Sequence, residues 1–416
     1  MKTNSHTRFV IIGAGAAGLT AAETLHEKGY TNVLVIEKET FAGGKCRSMM
    51  YDGRSYELGA GIVAANNSTI MQLIDKYQIP ISPSVSGSSN LYDLETADLC
   101  EDIFTLPEKI SFLWQLLLRY HRLLLQYPEV QKPGLAQTEP ELFDNFHHWA
   151  QINGIDLVER NFERYFTGFG YGYWSEIPAA YSVKYNNWDT FVSFFRGKIY
   201  AFDEGIQTMW QKIAQHHHVL YDTNIHQIIR NKQGISIVSN KGQIDADVLL
   251  ITCPLDECAG FMHLSNIEQE LFAKIKYLDY RTYLCKLDNF VPQTGFIPAH
   301  FSPDKKGHPL FWYKRYEDTN IYTLYVLSDF SVSDDIIHQN LLATIEKLGG
   351  TLVSIEKSVK WKYFPHVDTN TMQNGYYPKL EALQGTQNTY YAGELFNFSM
   401  VELTAAYTKN LVERFF

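Results

Sequence analysis

Residues 9–18 read FVIIGAGAAG, so four apolar residues run directly into a turn with glycines at positions 13, 15 and 18. A second apolar run, VLVI at 33–36, ends on Glu37. This pattern predicts a strand, a glycine turn, a helix and a second strand. In such a turn Gly13 permits the sharp reversal, Gly15 lets the backbone approach a ligand closely, and Gly18 lets the helix pack against the strand.

This strand–turn–helix unit predicts a dinucleotide site. The N-terminus of its helix, which includes Ala17, would face a pyrophosphate with its partial positive charge. Glu37 lies 24 residues after Gly13, where a carboxylate would accept hydrogen bonds from a ribose diol and repel a 2′-phosphate. The unit by itself does not distinguish NAD from FAD.

Three further segments resemble signatures of the flavin-containing amine oxidase superfamily. They read FAGGKCRS at 41–48, YELGAG at 56–61 and TYYAGE at 389–394, and a helix is predicted after the last of them, over 401–415. The resemblance implies FAD. A non-covalent cofactor is expected, because no cysteine stands near the terminal motif.

In that family each motif has a place on the cofactor. The resemblance puts Lys45 beside the phosphates and brings the loop at 59–61 close to the flavin ring, where any side chain would collide. It implies that Glu394 binds the ribityl or pyrophosphate portion of FAD. It also turns the N–H groups of Met400 and Val401 toward the electron-accepting edge of the flavin. The complete predicted FAD set is Gly13, Gly15, Ala17, Gly18, Glu37, Lys38, Gly44, Lys45, Gly59, Ala60, Gly61, Ile225 (at the adenine edge), Gly393, Glu394, Met400 and Val401.

The motifs also predict the fold class, which is α/β: a Rossmann-like FAD-binding domain with an inserted α+β substrate-binding domain. Because the two ends of the chain must meet, the FAD domain is expected to be discontinuous, at 1–75, 201–262 and 386–416. The substrate domain would combine 76–200, rich in helices, with 263–385, which should supply a sheet. Strands are predicted at 219–229, 234–239, 247–254, 280–287 and 320–327.

Other segments are similar to those of the bacterial polyenoic fatty acid isomerases, a family of FAD enzymes. These segments are FTGFGYGY at 166–173, IPAAY at 177–181, SF at 193–194, YFPHV at 363–367 and RFF at 414–416. The resemblance implies that a hydride leaves one carbon of an unsaturated chain and returns to another without net oxidation. Aromatic faces in a dry cavity would stabilise the intervening cation. The candidate catalytic residues are therefore Phe169, Tyr171, Phe194 and His366, and the expected partner is a small apolar or lipid substrate such as a polyunsaturated fatty acid.

The sequence departs from the isomerases at one place. Phe194 matches a phenylalanine that gates the carboxylate end of their substrate together with an arginine, but residues 86–90 read SGSSN here and contain no basic residue. Arg119, Arg122, Arg196 or Lys198 could take its place. Otherwise the substrate is uncharged, an ester, or something other than a fatty acid.

Several segments also have plainer interpretations. The aromatic segment at 166–173 fits a substrate tunnel or a packed loop, and the helix predicted at 112–125 fits a core or lid helix or one that transiently contacts a membrane surface. His366 fits a cavity wall or a hydrogen-bonded support, and Glu402 fits a residue that stabilises the N-terminus of its own helix. FAD-dependent oxidation of an amine or a C–H bond, with oxygen as acceptor, is the alternative function; a structural role for FAD is a third.

Composition and charge limit the classes of partner and cofactor that the protein is expected to bind. The chain has 36 basic and 46 acidic residues and a net charge of −10, which argues against nucleic acid. Five scattered cysteines and a polar N-terminus that leads directly into the first strand predict a cytoplasmic protein without disulfides or a signal peptide. The histidines at 216–218 predict no metal site, because no acid or cysteine completes them. The oligomeric state is left open.

Overall fold

The structure is a computed structural model that describes residues 3–84, 90–100, 104–231, 234–291 and 293–416. The strands are β1 Phe9–Ile12, β2 Val33–Ile36, β3 Ser48–Tyr51, β4 Arg54–Glu57, β5 Ile62–Ala64, β6 Ile81–Pro83, β7 Asn90–Leu91, β8 Ile199–Phe202, β9 His218–Leu220, β10 Ile225–Asn231, β11 Gly234–Ser239, β12 Gly242–Ala246, β13 Val248–Ile251, β14 Lys276–Asp288, β15 Gly295–Phe296, β16 His308–Tyr313, β17 Ile321–Ser328, β18 Thr351–His366 and β19 Thr389–Tyr391. The helices are α1 Ala16–Glu27, α2 Ser68–Lys76, α3 Leu106–Trp114, α4 His121–Gln126, α5 Pro128–Gln131, α6 Phe146–Ile152, α7 Asp156–Phe166, α8 Ala179–Tyr185, α9 Trp188–Phe195, α10 Ile206–Ala214, α11 Asn266–Phe272, α12 Asp334–Lys347, α13 Thr369–Gln373, α14 Tyr376–Glu381 and α15 Val401–Phe415.

A parallel sheet holds together strands that are far apart in the chain. Its order is β19-β13-β1-β2-β9, and each neighbouring pair is parallel. All four residues of β1 and of β13 are buried, as expected for strands covered on both faces, and α1 packs against α15 beside them. The α/β fold class with a Rossmann-like parallel sheet is thus confirmed. The predicted domain boundaries stay a prediction.

A second large sheet faces the other part of the molecule. Its order is β18-β14-β17-β16-β15-β7, antiparallel except where β15 pairs with β7. Three smaller sheets complete the set: β10-β11-β12, β5-β8-β6 and the β3-β4 hairpin. The strands predicted at 280–287 and 320–327 lie within β14 and β17, and every residue of β17 is buried.

Two predicted elements differ in the structure. The strand predicted at 219–229 is divided into β9 and β10, which belong to different sheets. The backbone turns away at Asp222, where φ is +49°, and the N–H groups of Asp222 and Thr223 donate to the carbonyls of Glu39 and Glu37. The break therefore carries the chain past the end of β2, beside the predicted ribose-binding acid.

The helix predicted at 112–125 is interrupted by a π-helical turn at Gln115–Tyr120, between α3 and α4. A turn of this type places residues five apart on one face, so Gln115 and Tyr120 both point inward. The Gln115 amide donates to Asp156 and accepts from the Leu157 N–H, and the Tyr120 hydroxyl donates to the Asn186 carbonyl. In the described part of the chain, no helix is long and apolar enough to span a membrane.

Candidate active site

One continuous cavity of about 870 Å³ runs from the glycine turn to the six-stranded sheet. This volume is at the upper end of the range of ligand pockets. The residues predicted for FAD all line it except Gly18. Of the candidate catalytic residues, Phe169, Tyr171 and Phe194 line it, whereas His366 does not.

The glycine turn explains why Gly18 lies outside the cavity. A Cβ at Gly18 would lie 1.9 Å from the Gly13 carbonyl oxygen, so this glycine permits contact between α1 and the turn. Gly13 itself has φ of +105°, and a Cβ there would meet the Thr252 hydroxyl at 2.9 Å. Gly15 differs from both, because its nearest contact would be 3.8 Å away at Gly44 and its side of the turn is open to the cavity.

The Glu37 carboxylate is held by backbone N–H groups of the protein itself. Its Oε2 accepts from the Ala14 N–H at 2.7 Å, and its Oε1 accepts from the Glu39 N–H at 2.9 Å. Each carboxylate oxygen can accept a second hydrogen bond, and Glu37 lines the cavity, so a diol can still be bound. The acid therefore also fixes the turn, a role that spacing alone did not indicate.

The motifs from the two ends of the chain meet at an ion pair. Lys45 Nζ lies 3.0 Å from Glu394 Oε2, which also accepts from the Ser399 hydroxyl at 2.9 Å. Gly59 lies against the same segment, where an added Cβ would be 1.9 Å from the Lys45 carbonyl oxygen. The close approach that requires glycine at position 59 is thus to the protein's own backbone.

Two expectations at the start of α15 need correction. The Met400 N–H donates to the Phe398 carbonyl at 2.8 Å, so it does not point freely into the cavity, although both Met400 and Val401 line it. Glu402 does not cap its own helix. Its two carboxylate oxygens accept from the N–H groups of Thr69 and Ile70, and so it caps α2.

The nucleotide end of the cavity fits a flavin dinucleotide. The first turn of α1 carries no acidic residue, and its N-terminus borders the cavity through Ala16 and Ala17. An anionic pyrophosphate would therefore meet free N–H groups and no opposing carboxylate in that turn. From there the cavity continues past the loop at 59–61 toward the aromatic sheet, which leaves room for an extended cofactor.

Six aromatic rings form a continuous stack along the other end. They are Tyr171, Tyr363, Tyr280, Tyr325, Phe311 and Phe296 in that order, and all six line the cavity. Successive ring centroids are 5.7, 5.1, 5.9, 4.2 and 5.0 Å apart, with interplanar angles of 25° or less. We call this set the aromatic wall. Its rings come from the loop after α7 and from five strands of the six-stranded sheet, β18, β14, β17, β16 and β15.

His366 supports this wall from behind. Its Nδ1–H donates to the Phe364 carbonyl at 2.7 Å, and its ring stacks on that of Phe364 at 4.8 Å. Burial lowers the pKa of His366 to about 4, so the ring is neutral near pH 7. The structure does not bring His366 together with the cavity-lining residues, and the supporting interpretation is the one its contacts favour.

The basic residues suggested as carboxylate partners also lie away from the cavity. Arg119, Arg122, Arg196 and Lys198 are exposed, and none of them lines the cavity. Residues 85–89, which hold most of the segment without an arginine, lie outside the described residues. A different arginine, Arg315, borders the cavity with its side chain only 8% exposed.

Arg315 lies beside Glu57. Glu57 is within the motif at 56–61 but was not among the predicted site residues, and no sequence motif indicated Arg315. Arg315 Nη2 donates to the Phe202 carbonyl, while Nη1 is 3.6 Å from Glu57 Oε1. Glu57 accepts from the Ser48 hydroxyl at 2.5 Å and from the Ile206 N–H at 3.0 Å. Burial nevertheless raises the pKa of Glu57 to about 7, against the opposing effect of those donors and of Arg315.

Comparisons with known proteins agree with this geometry. A CLA-producing fatty acid isomerase from P. acnes is 28% identical, with each chain covered over 100% of its length and a TM-score of 0.92. A putrescine oxidase shares the fold, with a TM-score of 0.75, 15% identity and 98% of each chain covered. These findings confirm the resemblance to the isomerases within the amine oxidase superfamily.

Sequence relatives lead to the same superfamily. The FAD-dependent oxidoreductase oblC of Cochliobolus heterostrophus is 23% identical over 92% of this chain and 86% of its own. Residues 16–394 match the family model described as flavin containing amine oxidoreductase. Because this match spans most of the chain, the protein belongs to the flavin containing amine oxidoreductase family.

Proposed function

We propose that this protein is an FAD-dependent enzyme that relocates a hydride within an unsaturated fatty acid and thereby isomerises its double bonds. The observation that carries the proposal is the aromatic wall, six stacked rings along one side of the cavity. Likeness to a fatty acid isomerase over the whole chain supports it.

The wall suits a substrate that becomes cationic. Loss of a hydride from a carbon between two double bonds leaves a positive charge spread over five carbons, which the negative faces of aromatic rings stabilise. Burial raises the pKa of Tyr171, Tyr280 and Tyr363 well above the usual value, so these rings remain neutral phenols. Packed aromatic side chains also keep water from the cation. A bound flavin would supply reversible hydride acceptance.

We propose that FAD is held without a covalent bond. Two cysteines line the cavity, Cys46 and Cys253. Burial raises the pKa of the Cys46 thiol to about 12, so it carries no nucleophilic thiolate near pH 7, and Cys253 lies beside Gly13 at the nucleotide end, away from the aromatic wall. Unfolding the protein in acid should therefore release all of its yellow colour into the supernatant. Flavin that stays with the precipitate would contradict non-covalent binding.

Anaerobic turnover tests the proposed function. The holoenzyme is incubated with linoleate without oxygen while conjugated-diene and flavin absorbance are followed together. Many turnovers of diene with no net flavin bleaching are expected. Stoichiometric bleaching that recovers only when air is admitted would indicate the alternative, an FAD-dependent oxidase or desaturase. The same assay with a primary amine tests amine oxidation directly.

We also propose that the substrate arrives from a lipid surface. No residue of α3 is buried, which excludes a core helix there, and Leu106, Ile110, Leu113 and Leu117 are each at least half exposed. Their spacing places them along one side of the helix, and we call them the leucine face. The exposed guanidinium groups of Arg119 and Arg122 follow next in the chain, which favours anionic headgroups over a protein partner.

A further inference from the structure

Among the described residues, five basic residues line the cavity. Lys38, Lys45 and Arg47 are at the nucleotide end, where Lys45 is paired with Glu394 and Arg47 lies over the Phe41 ring at 4.3 Å. Lys362 is paired with Glu257 at 3.2 Å. Lys45 Nζ also lies 5.6 Å from the centre of the Tyr363 ring, but its charge is paired with Glu394. Arg315, by contrast, follows the strand β16 that carries part of the aromatic wall and has a guanidinium nitrogen without a hydrogen-bond partner among the described residues, so it is placed to meet a substrate.

The chain leads from the wall to Arg315 in steps of two residues. Phe311, Tyr313 and Arg315 all line the cavity, and alternate residues of an extended chain share one side. Phe311 belongs to the aromatic wall and packs on Tyr325 at 4.2 Å with parallel rings. An apolar surface thus ends at a guanidinium, which is the arrangement that a fatty acid requires: a tail along the rings and a carboxylate at the cation.

Arg315 also has unused hydrogen-bonding capacity. Nη1 is fully buried and has no hydrogen-bond partner in the described part of the chain, since Glu57 Oε1 at 3.6 Å is too distant. Leaving a charged donor buried and unsatisfied is costly. A ligand oxygen that reaches Nη1 would remove this cost.

Glu57 does not occupy that role. Its nearer oxygen, Oε1, lies 3.6 Å from Nη1, beyond hydrogen-bond distance, and the two oxygens are held in place by the Ile206 N–H and the Ser48 hydroxyl. It stands beside Arg315 as a partial counter-ion and leaves room for a second anion. We propose that Arg315 binds the carboxylate of the substrate, in place of the arginine that the sequence lacks at 86–90. This inference rests on the proposed function and names the head group of its substrate.

Binding measurements on the holoenzyme test the inference without requiring turnover. A fluorescent C18 acid is displaced by linoleate or by the matching primary alcohol, in wild type, in Arg315→Met and Arg315→Lys, and in the exposed control Arg196→Met. Wild type should prefer the acid. In Arg315→Met its affinity for the acid should fall by about 10- to 100-fold with alcohol binding unchanged, because a charge-assisted hydrogen bond is lost.

Arg315→Lys should keep part of the preference for the acid, since it retains the charge but not the planar fork, and Arg196→Met should behave as wild type. If Arg315→Met does not fold, a reduced preference in Arg315→Lys supports the inference, and an unchanged preference overturns it. Flavin content is measured in every variant. Loss of flavin from both Arg315 variants, with the control intact, would assign Arg315 to the cofactor and overturn the inference.

The two proposals fail differently. If wild type binds the acid through Arg315 but forms no conjugated diene, the carboxylate site stands and isomerisation is wrong. If wild type isomerises linoleate while Arg315→Met keeps full preference for the acid over the alcohol, isomerisation stands and the role of Arg315 is wrong.

Discussion

The two ends of the cavity are built from different parts of the polypeptide. At the nucleotide end the surface is largely backbone, formed by the turn at 13–18 and the loops at 43–45 and 59–61. At the substrate end it consists of side chains, chiefly the aromatic wall and Arg315. A surface made of backbone needs particular glycines in consecutive positions, whereas one made of side chains is assembled from distant strands. The first end should fail when a Cβ is added, and the second when a ring or charge is removed.

The largest effect is expected from a single methyl group at the nucleotide end. Gly15 has an extended backbone with φ of −84°, which any residue can adopt, and the nearest atom of the described residues would be 3.8 Å from an added Cβ, so Gly15→Ala should fold normally. The methyl group would occupy the space in which the backbone meets pyrophosphate. Purified Gly15→Ala is therefore expected to be colourless and inactive, with the circular dichroism spectrum of wild type. Normal flavin content in Gly15→Ala would contradict the assignment of this turn to the pyrophosphate.

Gly59→Ala is the matched contrast. Its Cβ would overlap the Lys45 carbonyl oxygen at 1.9 Å, so the folded protein should lose about 3 kcal/mol or more of its free energy of unfolding. Gly260→Ala is the control for packing, because no atom of the described residues lies within 4 Å of an added Cβ there, although Gly260 also borders the cavity. Thermal unfolding of the three variants separates loss of the cofactor from loss of the fold.

This contrast also explains how much could be predicted from sequence. The turn at 13–18, the Lys45 and Glu394 motifs and the helix at 401–415 are local patterns; the helix has the predicted bounds, and Gly13, Gly15, Lys45 and Glu394 all line one cavity, whereas Gly18 does not. The bonding of Met400 to Phe398 and of Glu402 to α2 could not be predicted, because those partners are chosen by tertiary packing. Local motifs locate a site, but they do not assign every donor in it.

At the substrate end of the cavity, the sequence indicated aromatic residues but not their order or the position of a basic residue. Phe169, Tyr171 and Phe194 do line the cavity, yet the order of stacked rings depends on the pairing of β14 with β17 and β18. Arg315 follows a strand in an unremarkable run of polar and aromatic residues. Its proposed role is indicated by contacts with Phe202 and Glu57, which are remote from it in sequence. No spacing rule connects these three positions.

The second largest effect is expected within the wall. Tyr363 lies between Tyr171 and Tyr280, so Tyr363→Leu removes a central ring, and kcat for diene formation should fall about 3- to 30-fold. Tyr363→Phe keeps the ring and should retain most of the rate. Equal losses in both variants would show that the hydroxyl matters and that ring faces do not stabilise the cation.

The substrate end of the cavity also has a counterpart on the protein surface. The leucine face lies on the helical region next to α9, and α9 carries the cavity-lining residue Phe194. His121 contacts Trp188 of α9 with ring centroids 4.3 Å apart. Leu117→Glu should weaken sedimentation with anionic phospholipid vesicles by about tenfold, through lost apolar burial and added charge. Activity on detergent-dispersed substrate should not change.

Leu342→Glu is the control for that measurement, because Leu342 is an exposed leucine on α12 and not on the leucine face. It should bind vesicles as wild type does. Equal weakening by both variants would indicate a general effect of surface charge. Undiminished binding by Leu117→Glu would leave the leucine face without its proposed partner.

The smallest effect concerns pH at the carboxylate site. Burial raises the pKa of Glu57 to about 7, so folded protein retains a proton here that the unfolded chain releases at lower pH. As pH rises toward 7, this group therefore lowers the free energy of unfolding, and Glu57→Gln should remove that contribution. Denaturant midpoints of wild type and variant, compared between pH 5 and pH 8, check the sign.

The same ionisation should tune substrate binding. Above pH 7 the charged Glu57 partly neutralises Arg315 across 3.6 Å, so KM for linoleate should rise about threefold between pH 6 and pH 8. In Glu57→Gln the rise should disappear, because the neighbouring group no longer titrates. The binding constant of the uncharged alcohol should stay flat in both proteins, since it carries no charge for Arg315 to hold. A rise for the alcohol as large as that for the acid would place the titrating group elsewhere and separate Glu57 from the recognition of the head group.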